Sequence, residues 1–399
     1  MQGPDRPARS DDGALGTFIR REARRLGFEA VGIAPIRASD HGPALQDWLA
    51  RGRHGSMEYL AREDAVEARL DPASRWPHLL SAVVVAHHYS GSYSGSYSGR
   101  PAAEAEPALD GLAEIARYAR GRDYHRVVKK KLLALLGAIE AEIGRELPVA
   151  RAYVDTGPLL ERELARRAGI GWFGRNTMLI DPRRGSYFFL GSLLLPLELD
   201  YDEPFEADRC GTCSACVDAC PTGALLGRDE NGTPVMDATR CISYLTIENR
   251  GPIPDELRPA IGNRIYGCDI CQEVCPWNSP KIVQATNEPD YLARVPGLSG
   301  ADPDTGTHPH PHAGPSTDAP SLVELMRVPR EEWDVWTRGS AMRRAGYVGF
   351  KRNVAVALGN WLAAVDRPPE DAVEALVGAL EDDEPLIREH AAWALDQSS

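Results

Sequence analysis

The sequence lacks any apolar run that approaches the roughly 18 residues needed to cross a bilayer. Its opening residues, MQGPDR, also lack the apolar stretch of a signal peptide. We therefore expect a cytoplasmic protein that makes no use of a membrane. An excess of positive charge is missing as well, because 45 Lys and Arg face 58 Asp and Glu and leave a net charge of -13. That balance excludes a generally basic coat for nucleic acid.

Cysteine is absent before residue 210 and after residue 275, so that all eight cysteines lie in one short segment. The remaining composition is that of an ordinary globular protein, with 43 % hydrophobic and 26 % charged residues. A chain of 399 residues is long enough for two or three domains with sizeable cores. The clustering of the cysteines is therefore the most informative feature of the composition.

The first cysteine run, from Cys210 to Pro221, has the spacing C-x-x-C-x-x-C-x-x-x-C-P of bacterial ferredoxins, in which three thiolates bind one cluster and the fourth reaches another. A second run, from Cys268 to Pro276, repeats this spacing except that Ile265 stands where its first cysteine should be. Cys241 lies outside both runs and is predicted to replace the missing ligand. The resulting sets for two 4Fe-4S clusters are Cys210, Cys213, Cys216 and Cys275, and Cys220, Cys241, Cys268 and Cys271.

Disulfides and structural zinc sites are the alternative interpretations of these cysteines. Disulfides are disfavoured in a chain without a secretion signal. Four-cysteine zinc sites usually pair two short knuckles instead of two C-x-x-C-x-x-x-C-P runs. Two iron-sulfur clusters are therefore the prediction, and we expect them to deliver single electrons to a reaction centre.

The pattern of apolar residues divides the chain into four parts. Residues 1–200 predict a mixed α/β domain, 201–290 the cysteine-rich part, 291–320 a linker and 321–399 an all-α region. In the all-α region, residues 351–358 (KRNVAVAL) align with 388–395 (REHAAWAL), which is typical of HEAT-like repeats. The repetitive residues 89–99 are predicted to form a surface loop, and the histidines at 308, 310 and 312 a solvated linker instead of a metal site. The predicted elements of the first part are helices over 15–26, 123–146 and 158–168 and strands over 82–86, 149–154 and 187–199.

Five longer stretches resemble the epoxyqueuosine reductase family. They are residues 117–125 (RYARGRDYH), 154–162 (VDTGPLLER), 168–177 (AGIGWFGRNT), 241–248 (CISYLTIE) and 267–278 (GCDICQEVCPWN). The resemblance implies an enzyme that uses cobalamin and two 4Fe-4S clusters to reduce epoxyqueuosine to queuosine at the wobble position of tRNA, the last step of queuosine biosynthesis. The implied fold is an α/β (α+β) corrinoid-binding domain with a two-cluster ferredoxin-like insert and an all-α HEAT-like C-terminal region.

The resemblance points to Asp155 as the catalytic acid, because an epoxide oxygen leaves poorly as an alkoxide unless a group protonates it. Asp155 is predicted to follow a strand, at the edge where α/β sheets place their ligands, and to precede a helix that begins near Pro158. The positive end of that helix would favour the ionised carboxylate, whereas burial beneath a corrinoid would favour the protonated acid. The alternative interpretation is that Asp155 only caps the helix.

Cofactor contacts are predicted at His125, Arg175, Asn176 and Asp269. The alternatives are that His125 is a core residue and that Asp269 caps a turn. Residues 123–128 (DYHRVV) fail at the last position of the cobalamin signature Asp-x-His-x-x-Gly. We therefore expect a corrinoid whose lower ligand is displaced and which has no histidine on cobalt.

A tRNA partner requires positive patches within this acidic chain. Residues 115–131 carry seven Arg or Lys and one Asp, and residues 338–352 carry five basic residues and no acid. We expect tRNA to contact these stretches, including Lys351, Arg352 and Asn353, although solvated helix faces are the alternative. An electron donor such as a flavodoxin or ferredoxin is the other expected partner, and a monomer the expected state.

Two rival functions are compatible with the sequence. One is a corrinoid reductive dehalogenase-like reductase of a small molecule, which would have no use for a basic helical tail. The other is a non-catalytic iron-sulfur electron-transfer module that docks on a partner enzyme. Cobalamin binding would distinguish the carrier from either reductase.

Overall fold

The computed structural model describes residues 12–90, 110–283, 285–286, 288–294 and 317–397. Most of the predicted 89–99 loop and the histidines at 308, 310 and 312 lie outside these residues. Within them, no helix is both long and apolar enough to cross a membrane.

An antiparallel sheet with the strand order β1-β2-β7-β4 forms the centre of the first part of the chain. The strands are β1 (Ala30–Pro35), β2 (Ser81–His88), β3 (Glu114–Ile115), β4 (Arg151–Tyr153), β5 (Trp172–Phe173), β6 (Leu179–Ile180), β7 (Phe188–Leu195), β8 (Leu225–Arg228), β9 (Pro234–Met236) and β10 (Arg264–Tyr266). The antiparallel arrangement corrects one step of the sequence argument, because the rule that places ligands at strand ends applies to parallel sheets.

The helices cover both faces of the sheet and form the tail. They are α1 (Asp12–Arg25), α2 (Gly42–Ala50), α3 (Glu58–Ala61), α4 (Glu63–Leu70), α5 (Pro72–Arg75), α6 (Tyr124–Ile143), α7 (Glu161–Arg167), α8 (Ala215–Asp218), α9 (Ile242–Ile247), α10 (Arg258–Ile261), α11 (Ile270–Glu273), α12 (Leu322–Arg327), α13 (Arg330–Trp336), α14 (Gly346–Ala364), α15 (Glu370–Ala379) and α16 (Pro385–Asp396).

The sheet is the middle layer of three. Val83 and Val85 of β2 pack in one apolar core with α1 and α6, whereas Ala82 and Val84 point to the opposite face and pack with α7. β2 is consequently buried along its whole length. This packing explains why a short run of small and β-branched residues predicted a buried strand correctly.

Most of the predicted elements of the first part are confirmed within a few residues. The first helix is followed by Gly27 with a φ of 95°, a conformation that suits glycine. The Asp123 side chain caps α6, in agreement with the predicted start of this helix at residue 123. The prediction for the next helix is wrong at its start, because α7 begins at Glu161 and residues 154–160 form an irregular loop. That loop contains Asp155.

The helical tail packs on the cysteine-rich part through a third apolar core. This core also contains Ala113 and Ile115, which enter it because β3 pairs in parallel with β10. The stretch before α6 therefore contacts the tail and the cysteine-rich part. The two segments aligned by sequence lie in α14 and α16, which pack against each other.

The expected tRNA contacts at Lys351, Arg352 and Asn353 are wrong, because these side chains are 5 %, 1 % and 0 % exposed. Lys351 donates to main-chain carbonyl oxygens of Met326 and Val328 within the tail, whereas Arg352 and Asn353 anchor the tail to the cysteine-rich part. Arg352 donates to the main-chain carbonyl oxygens of Leu245, Asn249 and Gly251, and Asn353 donates to those of Thr246 and Ile265. The basic residues at this point of the sequence satisfy buried main-chain groups beside α9.

Candidate active site

Asp155 lies in the loop that connects β4 to α7. Its φ of 60° is in the left-handed region, which is unfavourable for residues other than glycine and is best tolerated by Asp and Asn. Its N–H donates to Oε2 of Glu161 at 2.9 Å. Leu160 is the residue that precedes the first turn of α7, so the interpretation of Asp155 as a helix cap is wrong.

The Asp155 carboxyl meets the first turn of α6. Its Oδ2 accepts a hydrogen bond from the Tyr124 hydroxyl at 2.8 Å and lies 3.6 Å from Nε2 of His125. Nδ1 of His125 lies 2.7 Å from Oδ1 of Asp123. Both ring nitrogens of His125 therefore face carboxylates, and its ring is 31 % exposed, which contradicts a place in the core. The Asp155 side chain is 68 % exposed, so the site is open.

Hydrogen bonds and burial set the protonation states of this cluster. The hydrogen bond from His125 holds the pKa of Asp155 below its ordinary value, against a partial loss of hydration. Burial lowers the pKa of His125, but hydrogen bonds to Asp123 and Asp155 outweigh it and raise the value to about 9. Burial, reinforced by the charge of Asp155, raises the pKa of Glu161 to about 8. At neutral pH Asp155 is ionised, whereas His125 and Glu161 carry protons.

The first predicted set of cysteines lines a cavity of about 330 Å³. Cys210, Cys213, Cys216 and Cys275 all face it, and the indole N–H of Trp172 donates to Sγ of Cys210 at 3.5 Å. Burial, with the neighbouring thiols of Cys275 and Cys210, raises the pKa of Cys216 to about 11. Cys213 is exposed, so this set reaches the surface.

The second predicted set is more enclosed. Cys241 immediately precedes α9, and Cys268 and Cys271 lie around the start of α11. Burial, followed by the thiols of Cys268 and Cys241, raises the pKa of Cys271. Burial also raises the pKa of Cys241, to which the Cys220 thiol contributes. Cys271 is also influenced by the Cys216 thiol of the first set, so these effects place the thiols of the two sets near one another without dividing them into sets.

A hairpin formed by β5 and β6 contacts both α7 and the cysteine-rich part. Its turn contains two of the predicted cofactor contacts. The Asn176 amide donates to the carbonyl oxygen of Cys271 at 3.1 Å, and the Arg175 guanidinium donates to a carbonyl oxygen within the first cysteine run at 2.7 Å. On its other side, the carbonyl oxygen of Thr177 accepts a hydrogen bond from Arg162 of α7. The hairpin thus connects α7 with both cysteine runs.

Asp269 is 2 % exposed and connects the second cysteine run to the approach to α6. Its Oδ2 accepts the N–H of Arg117 at 2.7 Å, and the Arg117 guanidinium lies 3.0 Å from Glu273. The side chain makes no capping hydrogen bond to α11, so the turn-cap alternative is wrong. Of the four predicted cofactor contacts, His125 lies at Asp155, whereas Arg175, Asn176 and Asp269 lie among the cysteines.

Two residues of the site escaped the sequence analysis. One is Glu161. The other is Tyr59 of α3, which is 43 % exposed and lies beneath the Arg344 guanidinium, 5.3 Å from its ring centroid. Burial raises the pKa of Tyr59, and the charges of Glu248 and Asp155 add to this effect. Glu161 lies six residues after Asp155, within the stretch 154–162, so its nearness in sequence was a signal for it. Tyr59 comes from a separate element, and no local spacing could have identified it.

The basic residues around α6 divide into paired and exposed groups. Lys129 and Lys130 are exposed and form no ion pair within the described part of the chain. Lys129 is one helical turn after His125 and lies on the same face of α6. The paired residues and their partners are Arg117 with Glu273, Arg120 with Asp318, Arg122 with Asp290 and Lys131 with Glu288.

Comparison with known proteins gives two matches to family models. Residues 209–278 match the 4Fe-4S double cluster binding domain, and residues 69–156 match epoxyqueuosine reductase QueG, DUF1730. Disulfides and zinc are thereby rejected as interpretations of the cysteines, and a two-cluster 4Fe-4S domain is confirmed.

Several characterised proteins are similar over nearly the whole chain. Epoxyqueuosine reductase of Pseudomonas aeruginosa is 39 % identical, over 96 % of this chain and 95 % of the relative. The enzyme of the same description from Xanthomonas campestris is 40 % identical, over 98 % of both chains. The enzyme from Escherichia coli K12 is 38 % identical, over 96 % of this chain and 89 % of the relative.

Solved structures give the same result. A crystal structure of epoxyqueuosine reductase with an epoxyqueuosine-modified tRNA-Tyr stem loop has a TM-score of 0.77 and 29 % identity, and covers 96 % of this chain and 90 % of that one. Another, from Bacillus subtilis, has its catalytic aspartate loop swung out of the active site. It has a TM-score of 0.75 and 28 % identity, and covers 97 % of this chain and 91 % of that one.

Proposed function

The chain belongs to the epoxyqueuosine reductase family, and we propose that it reduces epoxyqueuosine in tRNA with Asp155 as the proton donor. The reaction removes the epoxide oxygen as water and consumes two electrons and two protons. The observation that carries the assignment of Asp155 is the position of its carboxyl, which accepts a hydrogen bond from Tyr124 and lies 3.6 Å from Nε2 of His125. Both partners hold protons at neutral pH, and His125 can replace a proton that Asp155 has given up, whereas the raised pKa of Tyr124 keeps its proton in the hydrogen bond to Asp155.

The ionised state of Asp155 in the open site has to change before it can donate. A nucleoside seated over the carboxyl would exclude water and raise its pKa, since burial disfavours the charged form. His125, with its pKa of about 9, is then the group from which Asp155 can take a proton. This transfer would supply the proton even though the start of α6, which Asp155 contacts, favours its ionised form.

Cobalamin is the cofactor that the family implies, and the donor set around Asp155 fits it. Both nitrogens of His125 are engaged by carboxylates, which agrees with a corrinoid that has no histidine on cobalt. We propose that His125 and Asp155 contact the cofactor on the side where the substrate binds. Arg175, Asn176 and Asp269 would contact it from the side of the cysteines. Cobalamin, when bound, would supply low-valent cobalt that attacks or coordinates the epoxide.

The two cysteine sets suggest a direction for electron flow. Cys213 of the first set is exposed, whereas the second set is enclosed and bonded to the hairpin beside α7 through Cys271 and Asn176. A donor such as a flavodoxin or ferredoxin would therefore dock near Cys213. Electrons would enter the first cluster, pass to the second and reach the active site from there.

The regions outside the site would position the tRNA. We propose that residues 1–200 bind the corrinoid, 201–290 hold the clusters, 291–320 act as a linker and 321–399 form a HEAT-like platform, with the chain acting as a monomer. The mutual packing of α14 and α16 supports the repeat. Lys129, on the face of α6 that carries His125, would contact a phosphate of the bound tRNA. The modified nucleoside must leave the anticodon stack to reach Asp155.

The test is turnover of an epoxyqueuosine-containing stem loop by the chain with both clusters, cobalamin and a strong reductant, followed by nucleoside analysis. Queuosine should form with the unaltered chain. Asp155→Asn should lower turnover by roughly 100-fold or more at unchanged iron and cobalamin content. Asp110→Asn, at an exposed surface position, is the control and should keep normal turnover. Full turnover by Asp155→Asn would disprove the proton-donor role.

A further inference from the structure

The Asp155 loop is held at two ends. Tyr124 and His125 hold the carboxyl, and Glu161 holds the backbone through the N–H of Asp155 at 2.9 Å. Between these contacts the loop packs closely against Tyr153. A Cβ on Gly157 would lie 2.4 Å from the Tyr153 ring, so only glycine fits at this position. The left-handed φ of Asp155 is unfavourable by itself, so it requires a partner that favours it over an extended backbone.

The Glu161 carboxyl has no partner other than that N–H. Its Oε1 is buried and, within the described part of the chain, accepts no hydrogen bond. The groups that face it are Asp155 in the loop, Tyr124 and His125 at the start of α6, and Arg162 beside it on α7. Arg162 donates to the Thr177 carbonyl, and Glu161 forms no ion pair among the described residues. A carboxyl that is neither paired nor solvated is suited to remain neutral.

We propose that Glu161 is a positioning residue, which holds the Asp155 amide and thereby keeps the Asp155 carboxyl against Tyr124 and His125. The inference rests on the proposed function, since the carboxyl must be the proton donor for its position to affect turnover. Burial and the charge of Asp155 raise the pKa of Glu161 to about 8, so it carries a proton at neutral pH and does not repel Asp155. Loss of that proton would leave two carboxylates on one short loop, and their repulsion would oppose the contact of the Asp155 carboxyl with α6.

Two substitutions separate the effect of the hydrogen bond that Glu161 accepts from the effect of its ionisation. Glu161→Ala removes the acceptor, whereas Glu161→Gln keeps an amide oxygen in its place and does not ionise. Each is compared with Glu146→Ala, at an exposed position. The measurements are hydrogen exchange of the peptide spanning residues 150–162, and the pH profiles of kcat and KM for the stem loop in chains matched for iron and cobalamin.

Glu161→Ala should accelerate exchange in residues 154–160 and lower kcat roughly 10- to 100-fold, because misplacement of a reacting group by about 1 Å has effects of this size, and should leave KM nearly unchanged. Glu161→Gln should keep slow exchange and most of kcat, and should lack the decline expected near pH 8 from ionisation of Glu161, so that only the decline near pH 9 from His125 remains. Slow exchange and normal kcat in Glu161→Ala would overturn the proposal, as would equal losses in the two variants.

The exchange measurement distinguishes this proposal from the function on which it rests. If Asp155→Asn remains active while Glu161→Ala still accelerates exchange in residues 154–160, Glu161 holds the loop but Asp155 is not the donor. If Asp155→Asn is inactive and exchange in Glu161→Ala is unchanged, Asp155 is the donor and Glu161 does not hold it. Glu146→Ala should match the unaltered chain in every measurement.

Discussion

The cysteine-rich part and the Asp155 site are assembled in opposite ways. The thiols lie between residues 210 and 275, and short turns fix their relative positions. The Asp155 site is built from α3, α6, α7 and the loop after β4, which meet because of how the sheet and its helices pack. Local spacing therefore determines the first centre, and tertiary packing determines the second.

The two centres also differ in how their surroundings shift the pKa values of their titratable groups. Burial raises the pKa of the enclosed thiols such as Cys268 and Cys271, so that cluster assembly must release protons. At Asp155 the shifts have opposite signs, because hydrogen bonds favour the charged forms of Asp155 and His125 while burial favours the neutral form of Glu161. When the pKa values of neighbouring groups are shifted in opposite directions, one group can act as the acid and another as the base.

The largest expected effect tests whether spacing alone organises the cysteines. Cys241→Ser should remove the second cluster, halve the iron content and abolish turnover, because electrons would lose their path to the active site. Iron analysis and nucleoside analysis measure these losses. Ser74→Ala, at an exposed position of α5, is the control and should keep both clusters. Full iron content in Cys241→Ser would show that another residue replaces the ligand missing at Ile265.

The sequence predicted the parts of the molecule that depend on local patterns. Cysteine spacing indicated the cluster domain, and periodicity placed α6 and β2 close to their observed positions. It could not indicate that α7 begins at Glu161, because Pro158 is an equally suitable first residue for a helix. Tyr124 and His125, which contact the Asp155 carboxyl, come from a segment about thirty residues earlier in the chain, so local patterns could not place them there. For the same reason, Arg352 resembled a surface residue although it is buried.

The second prediction concerns the buried anchor that connects the tail to the cysteine-rich part. Arg352→Met should lower the free energy of unfolding of the tail by about 3 kcal/mol, because one buried and two partly buried carbonyl oxygens lose charged donors. Hydrogen exchange of α9 and α14 in the protein with clusters measures this change. Arg338→Met, an exposed substitution, should change it by less than about 0.5 kcal/mol. Equal effects of the two would mean that the tail does not depend on this anchor.

The third prediction tests the charge of His125 through stability. Its folded pKa of about 9 lies above its ordinary value of 6.5, so protonation stabilises the folded state fully below pH 6.5 and less as the pH rises to 9. Discounted for the 31 % exposure of the ring, this stabilisation is about 1–2 kcal/mol. Melting temperatures of the unaltered chain and His125→Gln should therefore differ at pH 6 and converge above pH 9.

An exposed histidine provides the control for this pH dependence. His78→Gln should melt at a constant interval from the unaltered chain across the same pH range. If the difference caused by His125→Gln also stays constant with pH, His125 is not stabilised by protonation. The two centres would then differ only in how their residues are brought together, and not in how their pKa values are shifted.

The smallest expected effect concerns the surface that leads to Asp155. Lys129→Gln should weaken stem-loop binding a few-fold and reduce the slope of log affinity against log salt by about 1, because one phosphate contact is lost. Lys130→Gln removes the same charge from a position about 100° further around α6 and should have a smaller effect. Equal effects would indicate a general response to charge. A larger loss for Lys129→Gln would indicate that the tRNA approaches along the face of α6 that carries His125, so that one helix would both orient the proton donor and guide the substrate to it.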